Sequence, residues 1–153
     1  RFASVTALEP DRRSFRKLNE WASANITGDV TLVQAGAWNE DTVKCFTDQA
    51  GRQSRVAGQG KETQMRALDS VLSGRPCTYL KMDVEGAERE AIVGAENTIR
   101  QYAPKLNIAA YHRSEDFFQL PLLLHEMQPA YRLYLRHHPY VPAWDTNLYA
   151  VSK

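Results

Sequence analysis

Short apolar runs rich in β-branched residues alternate with amphipathic stretches along this chain, and that alternation restricts the fold more than any other feature. Residues 2–8 (Phe-Ala-Ser-Val-Thr-Ala-Leu) suit a strand buried on both faces and end at Glu9-Pro10. Over residues 11–25, Phe15, Leu18 and Trp21 or Ala22 recur every three or four positions among Arg12, Arg13, Arg16, Lys17 and Glu20, which predicts a helix. Residues 30–35 read as a second strand halted by Gly36. Further on, the pattern predicts a strand over 78–84, a helix over 87–102 stopped by Pro104, a buried strand over 106–111, and a helix over 115–127 whose first turns Pro121 perturbs. Two late strands, 131–136 and 147–151, flank a Pro-rich loop with no helix between them, so they form an antiparallel edge. The expected architecture is α/β: a mostly parallel sheet with helices on both faces and an antiparallel C-terminal strand pair.

The middle of the chain is less regular. Residues 38–62 are polar and rich in Gln and Gly, which reads as an irregular, hairpin-like surface excursion with residues 43–46 as a candidate strand. Residues 63–68 fit either a helix or an edge strand, and Asp69 caps a short helical turn at most.

At 153 residues the chain makes one domain with a substantial core. Its 19 Lys and Arg against 18 Asp and Glu leave a net charge of +1, so no excess of cations favours nucleic acid or an acidic membrane surface, and neither is an expected partner. Apolar stretches such as residues 120–124 fall far short of the roughly 20 residues a membrane span needs. Two cysteines, Cys45 and Cys77, make neither a disulfide framework nor a CxxC zinc site, and a reducing, cytoplasmic setting is expected.

In open α/β sheets ligands bind beyond the carboxyl ends of the strands. Four such ends carry polar or small residues: Glu9; Gly36-Ala37-Trp38; Asp83-Val84-Glu85-Gly86; and Tyr111-His112-Arg113. Glu9 has two oxygens that match a ribose diol, but taken alone it reads rather as a loop acid or a cap partner for the residues after Pro10. Gly36-Ala37 offers a close-approach turn for a flat base, and Trp38 either stacks on that base or covers the sheet edge. Asp83 and Glu85 end a buried strand, where a charge is rarely left without a partner, and Lys81 is the plainest partner. Glu88 falls in the first helical turn, where negative charge is favourable, and reads as structural. If successive strands lie side by side, Asp83, Glu85 and His112 share one crevice. Such a trio orients an acceptor hydroxyl and takes its proton, or holds a divalent metal through one imidazole and oxygens. No metal site is assigned. His125, His137 and His138 read as solvated or packing residues.

Taken together, Glu9-Pro10, Leu68-Asp69, the run Tyr79-Leu80-Lys81-Met82-Asp83-Val84-Glu85-Gly86-Ala87-Glu88, then His112-Arg113-Ser114-Glu115-Asp116 and Asn147-Leu148-Tyr149-Ala150 resemble the FkbM-type methyltransferases. The Lys-x-Asp-Val-Glu-Gly-Ala-Glu segment is the specific part. The resemblance implies a Rossmann-like class I fold, S-adenosyl-L-methionine as cofactor, and O-methylation of a hydroxyl on a small metabolite or sugar. It implies Glu9 on the ribose, Ala37 and Trp38 bordering the adenine, Asp83 near the sulfonium or polarising the acceptor, and Glu85 and His112 orienting the substrate and removing its proton. The family opens with a strand and a glycine-rich loop of Asp-x-Gly-Ala-x-x-Gly type, and these 153 residues hold neither. With its first residues Arg1-Phe2, the chain is expected to be N-terminally truncated. A mid-sheet strand missing between those ending at Glu9 and Asp83 would bare edges and favour a homo-oligomer. The other class of reading is a non-catalytic α/β binding or interaction module that has lost its cofactor loop. A nicotinamide-dependent oxidoreductase and a metal-dependent hydrolase follow behind.

Overall fold

The computed structural model describes residues 2–46, 61–139 and 146–152. The chain opens as expected: β1 (Ser4–Leu8), α1 (Arg12–Asn25) and β2 (Asp29–Val33), with the two strands parallel in the register Ser4↔Asp29 to Leu8↔Val33. Asp11 starts α1 by accepting hydrogen bonds from the Arg13 and Ser14 amides at 3.1 and 2.8 Å, which satisfies two of the helix's unpaired donors. The run 30–35 does not stay one strand. It stops at Val33, and Gly36–Ala37 forms a separate short strand, β3.

β3 pairs in parallel with β5 (Lys61–Arg66), which pairs antiparallel with β4 (Thr42–Phe46). The ambiguous residues 63–68 are therefore mostly strand, and β5 lies in the middle of a three-stranded sheet rather than at an edge. Most of the excursion expected over residues 38–62, residues 47–60, lies outside the described residues.

The short helix α2 (Leu68–Leu72) follows. Asp69 does not cap its own turn: its carboxylate accepts from the Asn97 and Thr98 amides, both at 2.9 Å, and from the Thr98 hydroxyl at 2.6 Å. It thereby caps α4 (Glu96–Tyr102), the second half of a segment read as one helix over 87–102. The break separates α3 (Glu88–Val93) from α4 at Gly94-Ala95, where the Trp38 carbonyl packs so closely on Gly94 that a Cβ there would overlap it.

A four-stranded sheet completes the domain in the order β6 (Tyr79–Met82), β7 (Lys105–Ala109), β9 (Thr146–Ser152), β8 (Tyr131–His137). β6 and β7 are parallel neighbours, as adjacency predicts, and β8 and β9 are antiparallel, with β9 inserted between β7 and β8. α5 (Asp116–Met127) runs unbroken through Pro121.

The architecture is thus α/β, but not a mostly parallel sheet. Among the described residues there are three separate sheets, with parallel pairs β1–β2, β3–β5 and β6–β7 and antiparallel pairs β4–β5, β7–β9 and β8–β9. Among the described residues, helices pack on one face of the four-stranded sheet only. Leu80, Met82, Leu106, Ile108, Leu148 and Ala150 point into the core with Ile92 and Ile99 of α3 and α4 and Leu120 and Leu124 of α5. Alternation puts Tyr79, Lys81, Lys105, Tyr134 and Arg136 on the other face, where all five are exposed. No described helix is long and apolar enough to cross a membrane.

Candidate active site

The β6–β7 register, Met82 opposite Ile108, brings the carboxyl ends of these strands side by side. Asp83 and Glu85 follow one strand, and Tyr111 and His112 follow the other. Two left-handed residues, Glu85 at φ 54° and Gly86 at φ 92°, turn the chain sharply into α3. Gly86 also makes room for the β7 loop, since a Cβ there would lie 3.3 Å from Arg113 Nε and 3.7 Å from His112 Cβ.

His112 sits at the centre of the acidic groups. Its Nδ1 lies 2.8 Å from Glu88 Oε1, and its Nε2 lies 3.4 Å from Glu85 Oε2 and 3.6 Å from Asp83 Oδ1. The Tyr111 hydroxyl donates to Asp83 Oδ1 at 3.2 Å, and the Tyr111 and His112 rings lie 4.2 Å apart. Asp83 is thus partnered by His112 and Tyr111, not by Lys81, which stays exposed on the open sheet face.

Glu88 is the residue that sequence reasoning misplaced. Its side chain is 0% exposed, and Oε1 accepts from the Val84 amide at 2.9 Å while facing His112. It orients the imidazole rather than merely countering a helix dipole. A signal for this existed: Glu88 shares a helical stripe with the buried Ala91 and Ile92, a position where a lone carboxylate needs a built partner. Asp116, at the start of α5, is likewise buried. Glu88 Oε2 and Asp116 Oδ2 are both buried without a hydrogen-bond partner among the described residues.

This arrangement shifts two proton equilibria. Burial pushes His112 down, but the hydrogen bond and charge of Glu88, with the charges of Glu85 and Asp83, outweigh it and hold the imidazole above its ordinary range. Burial first, then Glu88, push Asp116 up to about 6, against the opposing pull of Arg113 and His112. Asp83, Glu88 and His112 each place one ligand-type atom so that all lie within 4.8 Å of one another.

The remaining predicted residues stand elsewhere. Glu9 follows β1, and its Oε1 accepts from the Asp11 amide at 2.8 Å, the capping role weighed for it above. One carboxylate oxygen is engaged there. Ala37 is 8% exposed within the main core, and Trp38, at the end of β3, bonds through its amide to the Arg66 carbonyl at 3.0 Å. Lys44 lies over the Trp38 ring, 5.3 Å from its centroid. His137 and His138 are exposed and bond to Thr146 and Tyr149.

The acid–imidazole cluster stands at the carboxyl ends of adjacent parallel strands, where α/β domains bind their ligands. Comparison narrows the class: residues 3–142 match the methyltransferase FkbM domain, and the chain belongs to that family. It is also similar to the crystal structure of methyltransferase FkbM from Methylobacillus flagellatus KT, at 30% identity and a TM-score of 0.78, over 98% of this chain and 37% of that one. The chain therefore spans little more than a third of the length of that structure. No curated protein matches.

Proposed function

We propose that the domain takes part in methyl transfer from S-adenosyl-L-methionine to a hydroxyl oxygen of a small acceptor, at the rim formed by Asp83, Glu85 and His112. The observation that carries the reading is the buried Glu88–His112 pair, which leaves the opposite ring nitrogen facing two carboxylates in a chain of the FkbM family. The cofactor supplies a methyl group on a cationic sulfonium. An anionic rim suits such a cation, and the free oxygen of Glu9 suits a ribose hydroxyl.

Asp83 and Glu85 orient the acceptor hydroxyl, and His112 takes its proton at Nε2 because Nδ1 is committed to Glu88. Against the effect of burial, Glu88, Glu85 and Asp83 raise its pKa, so the proton-accepting form appears at a higher pH than for a free imidazole and transfer should rise with pH. Ala37 and Trp38 border the adenine, with Lys44 leaving one face of the indole. A family-type glycine-rich loop is not present in this sequence, and β1 and β6 are not paired to each other among the described residues. A strand supplied between them would join the two sheets, which supports reading this domain as part of a larger enzyme.

Calorimetry with S-adenosylmethionine and S-adenosylhomocysteine on this chain, followed by transfer of labelled methyl to a panel of hydroxyl acceptors, tests the reading. Glu9→Ala should weaken cofactor binding, and His112→Ala should remove transfer while cofactor binding persists. Silence here with binding by an N-terminally extended chain would leave methyl transfer to the longer protein, and silence in both would leave the non-catalytic binding module standing instead.

A further inference from the structure

We propose that Asp116 is a positioning residue that acts on His112 through Glu88: the two buried carboxyls hold one proton between them, and its loss puts the whole charge of Glu88 on the imidazole. Glu88 and Asp116 are the first residues of α3 and α5, helices that pack together, and both are buried. Each keeps one enclosed oxygen, Glu88 Oε2 and Asp116 Oδ2, without a hydrogen-bond partner among the described residues. Two carboxylates offer each other only acceptors, so enclosing both as anions adds repulsion to the cost of burial. One proton relieves both: a carboxyl O–H on Asp116 donates to Glu88, and a single negative charge remains. Glu88 is the member that stays ionised, because Oε1 already accepts from the Val84 amide at 2.9 Å and faces His112 Nδ1 at 2.8 Å. Asp116 Oδ2 has no donor to hold a charge.

The surroundings decide when that proton leaves. Burial first, then Glu88 and Glu115, hold it on Asp116, while Arg113 and His112 favour its loss, and the balance stands at about 6. Arg113 is exposed, so water screens its share. Above that pH, Glu88 no longer accepts from Asp116 and its charge goes undivided to the Nδ1 side of the ring. Glu85 and Asp83 act on the Nε2 side as before. The imidazole then holds its proton to a higher pH and, once free of it, is the stronger base toward an acceptor hydroxyl. Below that pH the shared proton weakens the hold of Glu88 on Nδ1. Nε2 remains the nitrogen that accepts a proton in either state. The part played in transfer rests on the methyl-transfer reading; the shared proton does not.

The test is an NMR pH titration of the chain that follows the His112 ring and the 13C-labelled carboxyl carbons of Asp116 and Glu88. In the parent protein Asp116 should titrate at about 6, with a matching step in the Glu88 and His112 curves. Asp116→Asn keeps a donor toward Glu88 and never ionises. It should remove that step and lower the His112 midpoint by at least ~0.3 pH unit, leaving His137 and His138 unmoved. In a Glu88→Gln background the same change should move His112 less than half as far. Circular dichroism establishes that each variant is folded. An Asp116 carboxyl that titrates in the ordinary aspartate range in the parent overturns the shared proton without recourse to any variant. A His112 midpoint unmoved in folded Asp116→Asn, or moved equally with and without Glu88, overturns the action through Glu88. In transfer assays the pH midpoint of turnover should fall with that of the ring while cofactor binding holds, and a turnover midpoint that ignores the ring overturns the positioning role. Titrations as expected in a chain that binds no cofactor and transfers no methyl sink methyl transfer and leave the shared proton.

Discussion

Asp116→Asn should stabilise the domain at neutral pH, and the size of the effect follows from the carboxyl's surroundings. Asp116 is 3% exposed, beside Glu88, with one oxygen lacking a hydrogen-bond partner among the described residues. Raising a carboxyl from 3.8 to about 6 corresponds to about 3 kcal/mol at about 1.36 kcal/mol per pH unit. Because the folded-state value is the higher one, the unfolded chain loses its proton first. Stability from this group is complete below pH 3.8 and drains away as pH rises to about 6. At neutral pH the folded protein therefore holds a carboxylate it would be more stable without. That net cost already includes the favourable place of the carboxylate in the first turn of α5, so Asn removes about 3 kcal/mol at neutral pH, about 2 of which develop between about pH 4.5 and about 7.5.

Urea denaturation of both proteins in EDTA, from about pH 4.5 to about 7.5, reads this directly. The stability advantage of Asp116→Asn should grow by about 2 kcal/mol across that range, or roughly 4–8 °C in Tm at the upper end. An advantage that stays flat with pH, or an Asn variant less stable than the parent at about pH 7.5, would refute the uncompensated buried carboxylate.

Three further changes probe the scaffold and the rim. Gly94→Ala drives a methyl into the Trp38 carbonyl, backbone that cannot rotate aside, so thermal melting should show a loss of at least ~2 kcal/mol; a Tm within about 1 °C of the parent would contradict that packing. Asp69→Ala strips three hydrogen bonds from the start of α4 and should cost about 2 kcal/mol in urea titration, with Asp69→Asn recovering part of it. Glu85→Gly relieves a left-handed residue at φ 54° and should raise stability by up to ~1 kcal/mol in urea titration while lowering methyl transfer, so stability and function move in opposite directions.

Periodicity located most elements because the relevant residues face one core. The opening β1–α1–β2 unit, the β6–β7 pair and the antiparallel ending all come from patterns visible within 5 to 15 residues. It misjudged places where distant backbone decides. The helix over 87–102 breaks at Gly94 because Trp38, far away in sequence, packs on it, and Asp69 caps a helix some 28 residues downstream of its own. A mostly parallel sheet was expected, and the described residues form mixed sheets instead, because the antiparallel β4–β5 pair and the insertion of β9 between β7 and β8 are matters of pairing, which one-strand patterns do not encode.

The site divides along the same line. Asp83, Glu85 and His112 were readable together because adjacent parallel strands place their carboxyl ends side by side, a rule of topology that needs no side-chain detail. Glu88 was not, because position in the first helical turn already accounts for an acid there. Burial separates the two explanations: a residue serving only a helix dipole gains by remaining in water, whereas Glu88 is enclosed, bonded to the Val84 amide and pressed against His112. Enclosing a carboxylate costs several kcal/mol unless its partners are fixed, so the fold at this corner is organised around the imidazole. That is why Glu88→Gln, which keeps the shape and removes the charge, should disturb the proton equilibrium of His112 more than it disturbs the fold.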